Sequence, residues 1–351
     1  MKLKWAFSCE ISAPTQDPYL LIDFINQNNS ILFDCGVKIW GKIKTLLKLE
    51  ALFISHAHID HLIGFDHIIR ALLGESKHVE VYGPEGIIER ISSKLGGYDW
   101  DRAADQELKI SVHEICGETR KTRVFECRKR FVPSEEIQSP IENRIIRQTR
   151  DYRISAARVD HGGSPCLAYA FHEFDKLRIE KDAMDRIGLK PGPWVGDLLR
   201  ALGAGKELPD VIDIDGVSLP SKRLTEEIIR TQRGIKIGYV TDTELTDATI
   251  PVIRDLVDSS DVLVCESTFL DEDREFASRF HHITAAAAGK LAREARVGKL
   301  VLFHVSSRYL PDLYRVVREA RMYCEDVELS STFPKNRKNA NRRFKTTAGS
   351  E

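Results

Sequence analysis

The chain has 351 residues, 42% of them hydrophobic and 30% charged, with a net charge of −1. That balance describes a globular protein with room for one large domain or two ordinary ones, and it excludes a global basic field that would draw nucleic acid to the whole surface. No apolar run approaches the roughly 18 residues that span a bilayer, so no membrane association is expected. In chain order, "SILFDCG" reads as a strand ending in a glycine turn and "VKIWGKIKTLLKL" as a helix. "EALFISHAH" follows as a buried strand running into a loop, and "HLIGFDHIIRALLG" has helical spacing with a glycine stop. "HVEVYGPEGIIERISSKL" is a strand, a Gly-Pro turn and a helix. Residues 108–131 and 152–160 suggest further strands.

A second series begins near Ile235. "IKIGYVTDTE" and "DVLVCESTF" are strands ending in acids, and "HHITAAAAGKLAREARV" is an alanine-rich helix. "KLVLFHVSSRY" is a buried strand before the helix "LPDLYRVVREARMYC". Two halves of similar make-up predict an α/β protein of αββα type, with two sheets face to face and helices outside. Residues 1–171 and 234–331 are expected to be its halves, with 172–233 an inserted, charged subdomain contributing little core strand. Residues 332–351 form a basic tail holding Lys335, Arg337, Lys338, Arg342, Arg343 and Lys345, expected to be disordered. The start "MKLKWAFSCEISAP" lacks a secretory h-region. The seven cysteines are scattered without a CxxC pair, so a cytoplasmic protein without disulfides is expected.

The stretch "FISHAHIDHLIGF" places His56, His58, Asp60 and His61 just after an apolar strand. Imidazole and carboxylate suit zinc and similar borderline metals, and a loop at a strand end can aim several of them at one point. Alternation along extended backbone turns His56 and His58 the same way while Asp60 and His61 point elsewhere, which favours two neighbouring metals over one.

HxHxDH at a strand-to-loop junction resembles the signature of the metallo-β-lactamase superfamily, and nearly the whole chain supplies the remaining motifs in order. Asp34 in "LFDCG" resembles the aspartate that braces the ligand loop; His161, Asp242 and His304 match the later motifs. The resemblance implies one metal on His56, His58 and His161, a second on Asp60, His61 and His304, and Asp242 bridging. The ions implied are two Zn²⁺, with Mn²⁺ or Fe²⁺ also accommodated by such donors. Within the superfamily, "CESTF" with Glu266, "HHIT" with His282, "FHVSSRY", and the Pro-Gly-Pro stretch of "DAMDRIGLKPGPWVGDLLRALGAGKEL" are similar to ribonuclease Z. That family trims the 3′ trailer of precursor tRNA, uses the inserted segment as a flexible arm gripping the tRNA, and commonly forms homodimers. The resemblance implies that Glu266 keeps His282 protonated as a general acid toward the departing 3′ oxygen, and that Asp60 ligates metal and takes the nucleophile's proton. Ser306 and Arg308 are candidate substrate contacts.

The chain departs from the family at "AFSCEISAPTQDPYLLIDF", which lacks the family's glycine-rich turn and the basic loop that inspects the tRNA 3′ end. A phosphodiesterase for a small molecule or another RNA is therefore an alternative, and a non-catalytic RNA-binding protein a weaker one. Arg144, Arg147, Arg150 and Arg153 are expected on a solvated face. His281 is expected to face solvent, although it and His282 can exchange roles in the motif. Cys166 is expected to be a small core residue, and His67 a core or surface histidine.

Overall fold

The computed structural model describes residues 7–25, 27–37, 43–203, 205–214 and 216–331. The basic tail and most of the first half of the helix predicted over 37–49 lie outside these residues; the described part of that helix is the short turn Ile43–Leu46. The chain divides into two units. One comprises residues 1–149, 153–171 and 236–351, and the other residues 150–152 and 172–235.

The larger unit holds an eight-stranded sheet whose strands lie side by side in chain order: Phe7–Ile11, Leu20–Phe24, Ser30–Phe33, Leu49–Phe53, His78–Pro84, Lys109–Cys116, Thr119–Glu126 and Ile137–Pro140. The four strands from Ser30–Phe33 to Lys109–Cys116 are parallel. A seven-stranded sheet runs in the order Val327–Leu329, Leu300–Phe303, Val262–Glu266, Lys236–Val240, Ser164–Glu173, Tyr152–His161, Ile145–Gln148. The sheets face each other through aromatic side chains. Phe33, Phe53 and Tyr82 stack along one sheet at 4.9 and 5.0 Å between centroids. Tyr169 and Tyr239 of the other sheet meet Phe33 at 5.7 and 5.6 Å. Helices Phe65–Leu72 and Ile87–Gly96 cover the outer face of the first sheet through Ile68, Leu72, Ile91 and Leu95. Helices Thr249–Val257, Ala285–Glu294 and Tyr314–Ala320 cover the second through Ile253, Leu291 and Val317. This is the expected αββα sandwich.

Three details depart from the sequence reading. The helix predicted over 61–74 is two pieces, Ile59–Leu62 and Phe65–Leu72. The break falls at Gly64, where a Cβ would lie 2.4 Å from the Cys35 carbonyl oxygen. The helix predicted over 310–324 begins as a 3-10 turn, Ser307–Asp312, because Pro311 has no N–H for an α-helical bond. Arg147 is not on a solvated face: its side chain is 14% exposed and pairs with Glu80 and, at 3.4 Å, Glu50.

The smaller unit has more order than its sequence suggested. Lys176–Ile179 pairs with Ile229–Gln232, Val211–Ile214 forms a hairpin with Val217–Pro220, and helices Lys181–Arg186, Pro193–Gly203 and Ser221–Ile228 are present. Ala183, Met184, Leu189, Leu198, Ile214, Leu224 and Ile228 form a small core of its own. Among the described residues, no helix is long and apolar enough to cross a membrane.

Candidate metal centre

Parallel strands deliver side chains from their carboxyl ends to one place. Lys236–Val240, Val262–Glu266 and Leu300–Phe303 run parallel, with Val240 opposite Cys265 and Glu266 opposite Phe303. Asp242, Glu266 and His304 therefore emerge together. In the other sheet Phe33 lies opposite Phe53 in a parallel pair, which brings Asp34 beside Ser55 and His56. Asp60 and His61 sit on the helical turn Ile59–Leu62 rather than in a loop, tied down where the Cys35 N–H donates to the His61 carbonyl at 2.9 Å.

The candidate ligands converge. Donor atoms of His56, His58, His161 and Asp242 lie within 4.8 Å of one another, and so do those of Asp60, His61 and His304. Asp242 Oδ2 stands between the two sets, 3.7 Å from His56 Nε2, 3.8 Å from His161 Nε2 and 3.5 Å from His61 Nε2. Asp60 Oδ2 is 3.5 Å from His61 Nε2 and 3.4 Å from His304 Nε2. Two donors on one tetrahedral ion at zinc–ligand distances stand about 3.4 Å apart, so these separations suit a shared cation. The buried Nε2 atoms of His56 and His61 have no hydrogen-bond partner. A buried polar atom without a partner needs explanation, and these donors fit a divalent ion.

The opposite ring nitrogens are held. Asp34, fully buried and in a left-handed conformation at φ 49°, accepts from the Ser55 N–H at 2.7 Å, the Ser55 hydroxyl at 2.8 Å, His61 Nδ1 at 2.9 Å and the Tyr239 hydroxyl at 2.9 Å. The Ser55 oxygen in turn lies 3.1 Å from His56 Nδ1. Such bonds fix the tautomer that turns Nε2 toward the metal. Burial, with His61 adding to it, lowers His56 to about 2 and keeps the imidazole neutral, as a ligand must be. Burial opposes charge on His61, yet Asp242 and Asp34 outweigh it and lift the ring to about 10. The same two carboxylates make the place favourable to a cation.

Glu266 lies beside these ligands with its oxygens committed. Oε1 accepts the N–H groups of Thr243 at 3.0 Å and Ile283 at 3.2 Å; Oε2 accepts the Thr268 hydroxyl at 2.5 Å and pairs with His282 Nδ1 at 2.8 Å. Burial disfavours charge on His282, but Glu266 outweighs it and raises the pKa. His282 lies outside the helix predicted from residue 281 because Thr284 caps that helix, accepting from the Ala287 N–H at 3.2 Å. This leaves the imidazole in a loop facing Asp242, 3.9 Å away.

Other candidates fare differently. Arg308 is occupied by Asp273 at 3.3 Å and lies over Phe269 and Phe276, while the Ser306 side chain accepts from the Arg308 N–H at 3.4 Å. Cys166 is 1% exposed in the core, its thiol donating to the Asp242 carbonyl at 3.3 Å. His67 is half-buried on helix Phe65–Leu72. His281 does not simply face solvent. Its Nδ1 is 2.8 Å from Glu244 Oε2 and its carbonyl accepts from His161 Nδ1 at 2.9 Å. Ser55, Tyr239, Thr268 and Glu244 were not singled out in the sequence. Each lies inside a stretch noted in the sequence, Ser55 in "FISHAH", Tyr239 and Glu244 in "IKIGYVTDTE" and Thr268 in "CESTF", but nothing in residue type marked it as a positioning group.

Residues 29–164 match the model of the β-lactamase superfamily domain. The chain is 30% identical to a protein named ribonuclease Z from Deinococcus radiodurans, over 85% of this chain and 89% of that one. It is also 30% identical to a ribonuclease Z from Thermococcus sibiricus, over 84% and 82% of the two chains. Among solved structures, a long-form RNase Z from yeast superposes with a TM-score of 0.57 at 14% identity, covering 93% of this chain and 41% of the yeast chain, which speaks to the fold alone. Identity at that level across nearly the full length of both chains carries more than a shared fold: this protein belongs to the ribonuclease Z family, with the metallo-β-lactamase fold.

Proposed function

We propose that this chain is a metal-dependent endoribonuclease that removes 3′ trailers from precursor tRNA, using two Zn²⁺. The observation that carries this reading is the convergence of the two ligand sets and the His282–Glu266 pair in a chain similar to ribonuclease Z over most of its length. His56, His58 and His161 would hold one ion and Asp60, His61 and His304 the other, with Asp242 placed to serve both, while Asp34 braces the histidines. Bound there, such ions would supply a water of lowered pKa as nucleophile near neutral pH and would offset charge on the phosphoryl oxygens.

The remaining work falls to the chain. Asp60 accepts the proton of the attacking water. As the P–O3′ bond breaks, His282, held at Nδ1 by Glu266, donates from Nε2 to the departing oxygen, leaving a 3′ hydroxyl on the tRNA and a 5′ phosphate on the trailer. The smaller unit is assigned to gripping the tRNA, with Ser306 and Arg308 as secondary contacts. The reading includes a homodimer in the cytoplasm, which sedimentation velocity and cell fractionation test. For the activity itself, the test is cleavage of a 3′-extended precursor tRNA, mapped to the nucleotide, by wild type and Asp60→Ala. Cutting just after the discriminator base, lost in the variant, is the expected result. A two-metal protein that leaves the RNA intact would overturn the assignment in favour of a small-molecule phosphodiesterase.

A further inference from the structure

Two consecutive histidines, His281 and His282, each place Nδ1 2.8 Å from a glutamate oxygen, of Glu244 and Glu266 respectively. The second pair has a role in the reaction proposed above; the first has none. We infer that Glu244 is a positioning residue that, acting through His281, sets the tautomer and orientation of His161 toward the metal. The inference rests on reading the site as a metal centre.

The chain of contacts runs in one direction. A carbonyl only accepts, so the bond of 2.9 Å between His161 Nδ1 and the His281 carbonyl places the ring proton on Nδ1 and the lone pair on Nε2. Nε2 is the atom 3.8 Å from Asp242 Oδ2. The carbonyl is aimed by an unusual backbone, since His281 has φ 56°, a left-handed conformation that non-glycine residues rarely adopt unless their surroundings hold them there. The Glu244 carboxylate supplies the hold. Its Oε2 takes His281 Nδ1 and its Oε1 takes the Ser278 hydroxyl at 2.9 Å, so both ends of the turn Ser278–His281 are tied to one side chain. Nδ1–H is present in the imidazolium and in one neutral tautomer, so the hold does not require a charged ring.

Space at His161 is made to match. A Cβ on Gly162 would lie 2.3 Å from His281 Cδ2, so the residue after the ligand must be glycine for the His281 ring to occupy its place. Glu244 is itself anchored to the strand that carries His161: its N–H donates to the Asp160 carbonyl at 2.9 Å, and the Thr243 hydroxyl does so at 2.7 Å. The tripeptide Asp242-Thr243-Glu244 thus contributes the shared carboxylate, a backbone N–H to Glu266, and the clamp on His281. One short segment links the metal ligands, the acid and the orientation of His161.

The experiment is titration of the metal-free full chain with Co²⁺, followed by its d–d absorption, for wild type, Glu244→Ala, Glu244→Gln and His281→Ala. Loss of an outer partner of a metal-bound histidine weakens affinity by about 10–100-fold, and Glu244→Ala is expected to fall in that range with an altered band. His281→Ala keeps the carbonyl but loses the clamp, and should behave likewise. Glu244→Gln retains an oxygen for His281 Nδ1–H and an amide for Ser278, so it should bind nearly as wild type. Because glutamine also fills the same space, Glu244→Leu is measured beside it and should fall with alanine; wild-type binding by folded Glu244→Leu would reduce Glu244 to space-filling and overturn the inference. Wild-type affinity and spectrum in folded Glu244→Ala and His281→Ala overturn this inference alone. Failure of wild type to bind Co²⁺ overturns the metal-centre reading and this inference with it.

Discussion

Replacing His282 with alanine removes the proposed proton donor for the departing 3′ oxygen, and the surroundings of Glu266 make the variant interpretable. The carboxylate keeps the Thr243 N–H at 3.0 Å, the Ile283 N–H at 3.2 Å and the Thr268 hydroxyl at 2.5 Å. No buried charge is stranded, so the fold should survive. Positioned general acids contribute about 10²–10⁴ in rate, which is about 3–5 kcal/mol of barrier. A value near the middle, about 10³-fold, is expected, because Glu266 both fixes the ring and holds its proton. Single-turnover cleavage should be measured on two precursors, one natural and one with sulfur in place of the scissile 3′ oxygen. A thiolate departs far more readily than an alkoxide without protonation, since thiols ionise near 8.5. The variant should therefore lose about 10³-fold on the natural substrate and less than about tenfold on the sulfur substrate. Equal losses on both would refute the assignment of His282 as acid and leave it a purely structural part of the loop.

Asp34→Ala leaves four donors from Ser55, His61 and Tyr239 around a fully buried hole. It should lower the stability of the metal-free protein by about 3–5 kcal/mol in urea denaturation, and a loss below about 1 kcal/mol would contradict the bracing role. His113 stacks on Tyr82 at 4.5 Å, and burial, with Arg120 adding to it, lowers its pKa to about 4. Its folded pKa lies below the unfolded value near 6.5, so its stabilisation is complete above that value and is lost as pH falls toward 4. By pH 5 this amounts to about 2 kcal/mol. The glutamine variant should show a shallower loss of stability between pH 7.5 and 5; an unchanged slope would rule out the effect. Dialysis against a chelator should abolish cleavage and lower the melting temperature, and Zn²⁺ should restore both. Native mass spectrometry of the restored protein should find two ions, and a single ion would remove the bridging role from Asp242.

What the sequence made legible was local: apolar runs that stop at an acid or a histidine, and helices with a glycine or threonine at a boundary. These features are carried by residues adjacent in the chain, so spacing and residue type suffice to find them. The positioning contacts are of another kind. Asp34 is joined to Ser55, His61 and Tyr239 across 21, 27 and 205 positions, and His161 to His281 across 120. In the last pair the acceptor is a backbone carbonyl, which every residue has, so no residue type could have marked it. The same limit explains the helix broken at Gly64, where the obstacle is a carbonyl of Cys35, and the unforeseen contacts of His281, whose side chain is partly exposed as expected, at 39%, while its carbonyl accepts from His161. In a site assembled from strand ends, side chains that carry chemistry can be recognised by type. The residues that aim them are recognised only once the fold has brought the segments together, and Glu244, two residues after Asp242, is where those two kinds of residue meet in one segment.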